Sequence, residues 1–153
     1  MEGRLRKDAS GSMCIETGCA EETYALGLEY GKKAASGDVV TLDGDLGAGK
    51  TVFAKGFAEG LGITENVNSP TFTILQVYEG GRLPLYHFDV YRIDDPEEMW
   101  EVGMQEYLGG DGVCLIEWSE RIGELIPADC IRIRIMRDPA QGDDYRKIEV
   151  FGA

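Results

Sequence analysis

The sequence predicts an α/β fold of three layers, with helices on both faces of a mixed parallel and antiparallel sheet. Short apolar runs alternate with segments of helical periodicity along the chain. The continuous apolar run Val113–Ile116 is typical of a strand that is buried on both faces. Two β-rich segments, Thr71–Tyr78 and Leu83–Tyr91, are joined by Glu79-Gly80-Gly81-Arg82, which indicates a hairpin and therefore an antiparallel part of the sheet.

The remaining strands are predicted where apolar or alternating runs lie between turn residues. Met13–Glu16 is the first candidate, and Val39–Leu42 is the second. Near the end of the chain, isoleucines alternate with arginines over Ile131–Ile135, and Lys147–Phe151 can pair there as the last strand.

Three segments have the periodicity of amphipathic helices. From Glu21 to Ser36, apolar and small residues recur at helical spacing, and Gly37 follows where a C-cap glycine belongs. A second helix begins at Thr51 and ends near Gly60. A third begins at Asp94, with acidic residues and a proline in its first turn. Its apolar stripe consists of Trp100, Met104 and Tyr107.

Length and composition indicate one globular domain. The chain has 153 residues, of which 43% are hydrophobic, which is enough for a single core. We expect residues 1–12 to form a flexible extension and residues 13–153 to form the domain. The sequence shows no secretory signal and no apolar run near the ~20 residues of a membrane-spanning helix. We therefore expect a cytoplasmic protein that does not interact with membranes.

The chain is acidic, with 15 basic and 28 acidic residues and a net charge of −13. Because clustered lysine and arginine supply non-specific affinity for phosphates, we expect the chain alone to bind nucleic acid poorly. If it acts on nucleic acid, a partner must supply the contact. The four cysteines and one histidine lack the spacing of a zinc site, so we expect reduced thiols and no zinc.

One motif indicates function directly. Gly44-Asp45-Leu46-Gly47-Ala48-Gly49-Lys50-Thr51 fits the phosphate-binding pattern G-x-x-x-x-G-K-[ST], with a predicted strand before it and a helix after it. The glycines allow successive amide groups to cradle phosphate oxygens. Lys50 would reach the β- and γ-phosphates, and the Thr51 hydroxyl would ligate Mg²⁺. The motif therefore predicts that Asp45 to Thr51 bind a nucleoside triphosphate.

Such a loop needs a carboxylate for the metal and a group that orients the attacking water. Glu117 follows the buried run at the position of a Walker-B carboxylate, so we assign it to Mg²⁺, directly or through water. Asp89 ends the strand Leu85–Asp89 and is the better candidate for the base. Either acid alone could instead be solvated or cap a helix. The predicted catalytic residues are Lys50, Asp89 and Glu117, and the predicted metal ligands are Thr51 and Glu117.

Three further features have both a functional and a structural interpretation. Ser69 and Thr71 could lie near the γ-phosphate in a switch-like loop, or could belong to a proline-initiated strand entry. Trp118 could pack against the nucleotide or belong to the core. His87 lies on the same strand face as Asp89, where it could be either functional or structural.

Taken together, these motifs resemble the TsaE (YjeE) ATPases of bacterial tRNA threonylcarbamoyladenosine biosynthesis. The resemblance runs in one consistent order from about Glu21 to Ile122, and Val90 departs from it where leucine or methionine is commoner. It is carried by Glu22-Thr23, the phosphate loop, Ser69-Pro70-Thr71-Phe72, His87-Phe88-Asp89-Val90-Tyr91-Arg92 and Glu117-Trp118.

The resemblance implies a small Mg²⁺-dependent ATPase, slow alone, that works with TsaB and TsaD in threonylcarbamoyl transfer to adenosine 37 of tRNA. The transfer itself would take place on TsaD, so this chain would meet tRNA indirectly. The resemblance implies that Leu46–Thr51 hold the phosphates and that Thr51 and Glu117 bind Mg²⁺. It also implies that Asp89 is an essential acid and that Ser69–Phe72 responds to nucleotide state. The preference for adenine rests on the resemblance alone.

Other classes of nucleotide-binding protein are alternatives. A small-molecule kinase uses the same loop, but the middle of this chain has no arginine-rich lid segment. A GTPase would carry the guanine motif N-K-x-D, which is absent. A nucleotide-gated binding protein with negligible turnover differs from an ATPase in degree only. Residues 94–124 contain ten acidic residues and one basic residue, which indicates either a solvated face or a face for a basic partner.

Overall fold

A computed structural model describes residues 4–7, 12–45, 47–68, 70 and 73–152. The strands are β1 Arg4–Lys7, β2 Met13–Thr17, β3 Val39–Gly44, β4 Leu75–Tyr78, β5 Leu85–Asp89, β6 Val113–Glu117, β7 Ile131–Arg137 and β8 Arg146–Phe151. They form an eight-stranded sheet in the spatial order β1-β2-β8-β7-β3-β6-β5-β4. The four strands β7, β3, β6 and β5 are mutually parallel, and every other neighbouring pair is antiparallel. The mixed sheet predicted from the sequence is confirmed.

Helices cover both faces of this sheet. They are α1 Ala20–Lys33, α2 Lys50–Gly60, α3 Glu98–Val102 and α4 Met104–Tyr107, with 3₁₀ segments at Ser119–Leu125 and Pro139–Gln141. Phe53 and Phe57 of α2 pack into a core on one face. Met99, Met104 and Ile122 pack into a separate core on the other face. These two cores confirm the predicted three layers. No helix in the described part of the chain is long and apolar enough to cross a membrane.

Helices α1 and α2 are in backbone contact because glycine lies where they cross. A Cβ atom added at Gly31 of α1 would lie 2.1 Å from the carbonyl oxygen of Phe57. A Cβ atom added at Gly56 of α2 would lie 2.1 Å from the carbonyl oxygen of Tyr24. Such distances are far below van der Waals contact, so a side chain at either position would force the helices apart. This packing fixes α2, the helix that follows the phosphate loop.

Two regions differ from the sequence prediction. The helix predicted from Asp94 is broken at Gly103, whose φ of +83° separates α3 from α4. Trp100 is consequently 53% exposed instead of lying on a buried stripe. At the N-terminus, part of the extension predicted to be flexible forms β1, which pairs antiparallel with β2.

Candidate active site

The phosphate loop connects the carboxyl end of the central strand β3 to α2. Ala48 donates its amide to the carbonyl of Asp45 at 3.0 Å, and Phe53 donates to the carbonyl of Gly49 at 3.1 Å. Gly47 and Gly49 have φ angles of +80° and +100°, a region that strains other residues. Because Phe53 makes the first helical hydrogen bond, the preceding amides have no carbonyl partner within α2. Amides of this kind can bind phosphate oxygens.

Lys50, the first residue of α2, is held at the loop by two contacts. Its Nζ donates to the carbonyl oxygen of Gly44 at 2.8 Å and lies 3.7 Å from the centroid of the Trp118 ring. The side chain is only 7% exposed. Burial lowers the pKa of the Lys50 ammonium, and the nearby carboxylates of Glu117 and Asp89 oppose that shift. The lysine is therefore a buried cation beside the loop that it is predicted to serve.

The two predicted acids lie side by side at the ends of β5 and β6. Asp89 and Glu117 are register partners in this parallel pair, and they are 7% and 3% exposed. The alternating residues Phe88 and Ile116 face the opposite core, which places both carboxylates on the α2 side of the sheet. Asp89 Oδ1 accepts a hydrogen bond from the Tyr91 amide at 3.1 Å.

His87 contacts Glu117 directly. Its Nε2 lies 2.6 Å from Glu117 Oε2, and the two side chains are 1% and 3% exposed. An ionised carboxylate can only accept, so a proton on Nε2 makes the histidine the donor. This histidine therefore lies beside the predicted site and contacts one of its carboxylates.

A cavity of about 630 Å³ brings most of the predicted site together. The predicted residues that line it are Gly47, Gly49, Lys50, Thr51, Asp89, Glu117 and Trp118. Val52, Tyr91 and Arg146 line it without having been predicted. This volume is within the range of small-molecule and cofactor sites.

The remaining predicted residues are placed differently. Asp45 is exposed and lines a neighbouring cavity of about 520 Å³ together with Asp43 and Ser119. The side chain of Ala48 is fully buried, so only its backbone can serve a ligand. Leu46, Ser69 and Thr71 lie outside the described residues.

Trp118 has the unusual backbone conformation of φ +61° and ψ +37°, which is costly for a large side chain. Its ring lies 4.8 Å from the Tyr91 ring between centroids, at an angle of 56°. Arg121 lies 5.0 Å from the centroid of the same tyrosine. Tyr91 falls within the motif that carries the family resemblance, so the sequence contained a signal for it. Trp118 therefore lines the cavity and also packs against the core that contains Met99 and Met104.

Asp43 and Ser119 fix the turn that carries Trp118. Asp43 Oδ1 accepts from the Ser119 amide at 2.7 Å, and Oδ2 accepts from the Ser119 hydroxyl at 2.6 Å. Burial raises the pKa of Asp43 to about 6, although both hydrogen bonds from Ser119 oppose the shift. This pair ties the end of β3 to the segment after β6.

The donor set suits Mg²⁺. Thr51, Asp89 and Glu117 line one cavity, and hydroxyl and carboxylate oxygen atoms are the hard ligands that Mg²⁺ prefers. In the described part of the chain, no three His, Cys, Asp or Glu side chains lie close enough together to hold a metal ion. Water and phosphate oxygens would therefore have to complete the coordination shell, as is usual for Mg²⁺.

A family model described as "Threonylcarbamoyl adenosine biosynthesis protein TsaE" matches residues 17–148. The chain belongs to the TsaE family. The TsaE protein of Bacillus subtilis, named as a tRNA threonylcarbamoyladenosine biosynthesis protein, is 56% identical over 128 residues, which cover 84% of this chain and 78% of that relative. The TsaE protein of Treponema pallidum, with the same description, is 48% identical over 121 residues, 78% of this chain and 89% of the relative.

A crystal structure of YdiB from Bacillus subtilis is similar to the structure of this TsaE-family chain over almost its whole length. It matches with a TM-score of 0.78 and 45% sequence identity, over 96% of this chain and 86% of that one. The family resemblance and the α/β fold predicted from the sequence are thereby confirmed. Membership of the TsaE family makes this chain a nucleotide-binding protein of the P-loop ATPase type.

Proposed function

We propose that this chain is an ATP-hydrolysing subunit required for threonylcarbamoylation of adenosine 37 in tRNA, and that it acts with TsaB and TsaD. The observation that carries the proposal is one cavity lined by the phosphate loop, Lys50 and two buried carboxylates. The descriptions of the TsaE relatives supply the pathway. In this proposal residues 13–153 form a single ATPase domain that works in the cytoplasm.

Binding of ATP would use the loop backbone first. The amides of Gly49, Lys50 and Thr51 would surround the phosphates, as the open first turn of α2 allows. Lys50 would exchange its hydrogen bond to the Gly44 carbonyl for the more strongly charged β- and γ-phosphates. Leu46, by family resemblance, would belong to the same cradle.

The metal would be held by Thr51 and Glu117. Bound there, Mg²⁺ would neutralise charge on the phosphates during hydrolysis. The hydrogen bond from His87 keeps the Glu117 carboxylate in one orientation toward the cavity. This arrangement supports the assignment of Glu117 to the metal, because metal-ligating carboxylates are commonly hydrogen-bonded in this way.

Asp89 would then act on the attacking water. As the water oxygen bonds to the γ-phosphorus, the bond from that phosphorus to the β–γ bridging oxygen breaks and ADP leaves. Asp89 would orient the water and accept its proton, and the products would be ADP and inorganic phosphate. Ser69 and Thr71 would respond to the nucleotide state, and Trp118 would pack near the nucleotide.

Hydrolysis by the isolated chain would be slow, because a partner would complete the site. The test is Mg²⁺-dependent ATP hydrolysis by the chain alone and with TsaB, TsaD and unmodified tRNA, while threonylcarbamoyladenosine formation is followed. Repeated modification should require this chain. Lys50→Ala should abolish it, whereas Lys55→Ala, the same change of charge on the same helix, should not.

Two other results would contradict the proposal. Modification that continues through many cycles without this chain would remove it from the pathway. Transfer of labelled γ-phosphate to a metabolite instead of water would support the alternative, a small-molecule kinase with the same phosphate loop.

A further inference from the structure

Arg146, the first residue of β8, reaches from the C-terminal hairpin to the phosphate loop. Its Nε donates to the carbonyl oxygen of Ala48 at 2.8 Å. Its Nη1 donates to the carbonyls of Asp143 at 2.6 Å and Tyr145 at 2.7 Å. One guanidinium therefore joins the loop to a segment almost a hundred residues away in sequence. No local pattern in the sequence indicates this contact.

The bond to Ala48 constrains one peptide group of the phosphate loop. The Ala48–Gly49 peptide bond is trans, so its carbonyl and its amide point in opposite directions. A carbonyl that is held by Arg146 keeps the Gly49 amide turned away from the guanidinium. That amide belongs to the glycine-rich turn that is open to phosphate, and Gly49 itself lies in a left-handed conformation.

The position of Arg146 suits such a role. A Cβ atom added at Gly49 would lie 3.6 Å from Arg146 Nε, so the guanidinium packs directly against this glycine. Arg146 also lines the cavity beside Lys50 and Thr51. A hydrogen bond from a charged donor to a carbonyl is stronger than one from a neutral donor. Because the Arg146 guanidinium is already held by the carbonyls of Asp143 and Tyr145, it loses little conformational freedom when it also binds the Ala48 carbonyl.

We infer that Arg146 is a positioning residue that orders the phosphate loop for the diphosphate portion of a nucleotide. The inference rests on the proposed function, because it assigns a role within the same nucleotide site. It concerns binding that ADP and ATP share, since the backbone amides of such loops cradle the α- and β-phosphates. Arg146 does not act on the terminal phosphate.

The experiment measures binding of Mg·ADP and Mg·ATP to the full chain by calorimetry, with Arg146→Met as the variant. Methionine keeps much of the apolar stem and removes every hydrogen bond that the guanidinium makes. We expect affinity for ADP and for ATP to fall by the same factor, about tenfold, as for the loss of one charge-assisted hydrogen bond. At saturating ATP, kcat should stay within about twofold of wild type while KM rises, which a general loss of structure would not produce.

The matched control is Arg137→Met. Arg137 is the register partner of Arg146 on β7, and it is exposed, so this variant makes the same change of charge on the same strand pair. Its affinity for both nucleotides should equal that of wild type. Wild-type affinity in Arg146→Met would overturn the inference, and so would a larger loss for ATP than for ADP, because that result indicates direct contact with the terminal phosphate.

Arg146→Lys covers the case in which Arg146→Met does not fold. A lysine ammonium cannot hold the loop carbonyl and both hairpin carbonyls with the geometry of the guanidinium fork. We expect at least about a threefold loss for both nucleotides, and wild-type affinity in Arg146→Lys would overturn the inference. Absence of nucleotide binding in the wild-type chain would contradict the proposed function itself, which keeps the two failures distinct.

Discussion

His87 Nε2 lies 2.6 Å from Glu117 Oε2 in a part of the molecule from which water is almost excluded. The contact arises because β5 and β6 are parallel and place both side chains on the α2 side of the sheet. Nδ1 of the same histidine has no hydrogen-bond partner among the described residues. The polar chemistry of this buried ring is therefore directed at Glu117, the carboxylate that we assign to Mg²⁺.

Replacing the histidine should separate catalysis from nucleotide binding. In His87→Ala, Glu117 loses its donor and its fixed orientation, so we expect kcat to fall by about 10–100-fold and the Mg²⁺ requirement to rise. The affinity for ATP should change little, since the phosphate loop is intact. His87→Gln, which keeps an N–H donor, should recover part of the rate. Steady-state kinetics across Mg²⁺ concentrations would measure both effects, and an unchanged kcat in His87→Ala would show that the contact is structural.

Alanine substitutions at Glu117 and at Asp89 should change ATP hydrolysis in different ways. Glu117→Ala should reduce Mg²⁺-dependent hydrolysis by about 100-fold or more while changing nucleotide affinity far less, because a metal ligand is lost and the loop is not. Asp89→Ala should reduce hydrolysis without changing the Mg²⁺ concentration that gives half-maximal rate. Titrating Mg²⁺ with both variants separates the two roles. If Glu117→Ala hydrolyses ATP normally and Asp89→Ala shows the altered metal requirement, the two assignments are reversed.

The contact between α1 and α2 should tolerate no side chain at its centre. The Cβ atom of Gly31→Ala would lie 2.1 Å from a backbone oxygen of α2, and we expect a loss of about 2–3 kcal/mol in the free energy of unfolding. Gly123→Ala is the control, since an added Cβ there would meet nothing within 4 Å. Urea unfolding of both variants measures the difference. Equal stability of the two would mean that the helices are not in backbone contact.

The raised pKa of Asp43 predicts that the stability of the protein depends on pH. Its pKa is about 6 in the folded protein against about 3.9 in an unfolded chain, so the folded state binds the proton more tightly. The stability that this group contributes is therefore full below pH 4 and is lost as pH rises through 6. Asp43→Asn cannot ionise but can still bond to Ser119, so its Tm relative to wild type should increase between pH 4 and pH 7.

Thermal unfolding across that pH range checks the prediction, with Asp129→Asn as a control that removes a charge from an exposed position. A Tm difference for Asp43→Asn that stays constant with pH, or that matches the control throughout, would contradict the raised pKa.

Local patterns were sufficient to predict most of the fold. The phosphate loop, the buried run of β6 and the alternation in β7 each depend on neighbours in sequence, and the structure contains all three elements. The prediction of one helix from Asp94 was wrong at Gly103. Apolar spacing alone does not show whether a glycine adopts positive φ and ends the helix. The exposure of Trp100 follows from that break.

The parts of the site that were missed depend on contacts between distant segments. Two acids at strand ends could be recognised from sequence, but the bond between His87 and Glu117 depends on the register of β5 against β6. The role of Arg146 was missed for a similar reason, because its contact with Ala48 exists only after the hairpin of β7 and β8 packs beside the phosphate loop. A single arginine at the start of a strand has no local feature that indicates such a contact.

The most direct test of a nucleoside triphosphate site is the affinity of Mg·ATP for wild type and for Lys50→Ala, measured by calorimetry beside Lys55→Ala. We predict that wild type and Lys55→Ala bind alike and that Lys50→Ala binds about 100-fold more weakly or not at all, because the loop amides alone leave the γ-phosphate charge poorly compensated. Near-normal affinity in Lys50→Ala would contradict the assignment of this loop to the phosphates.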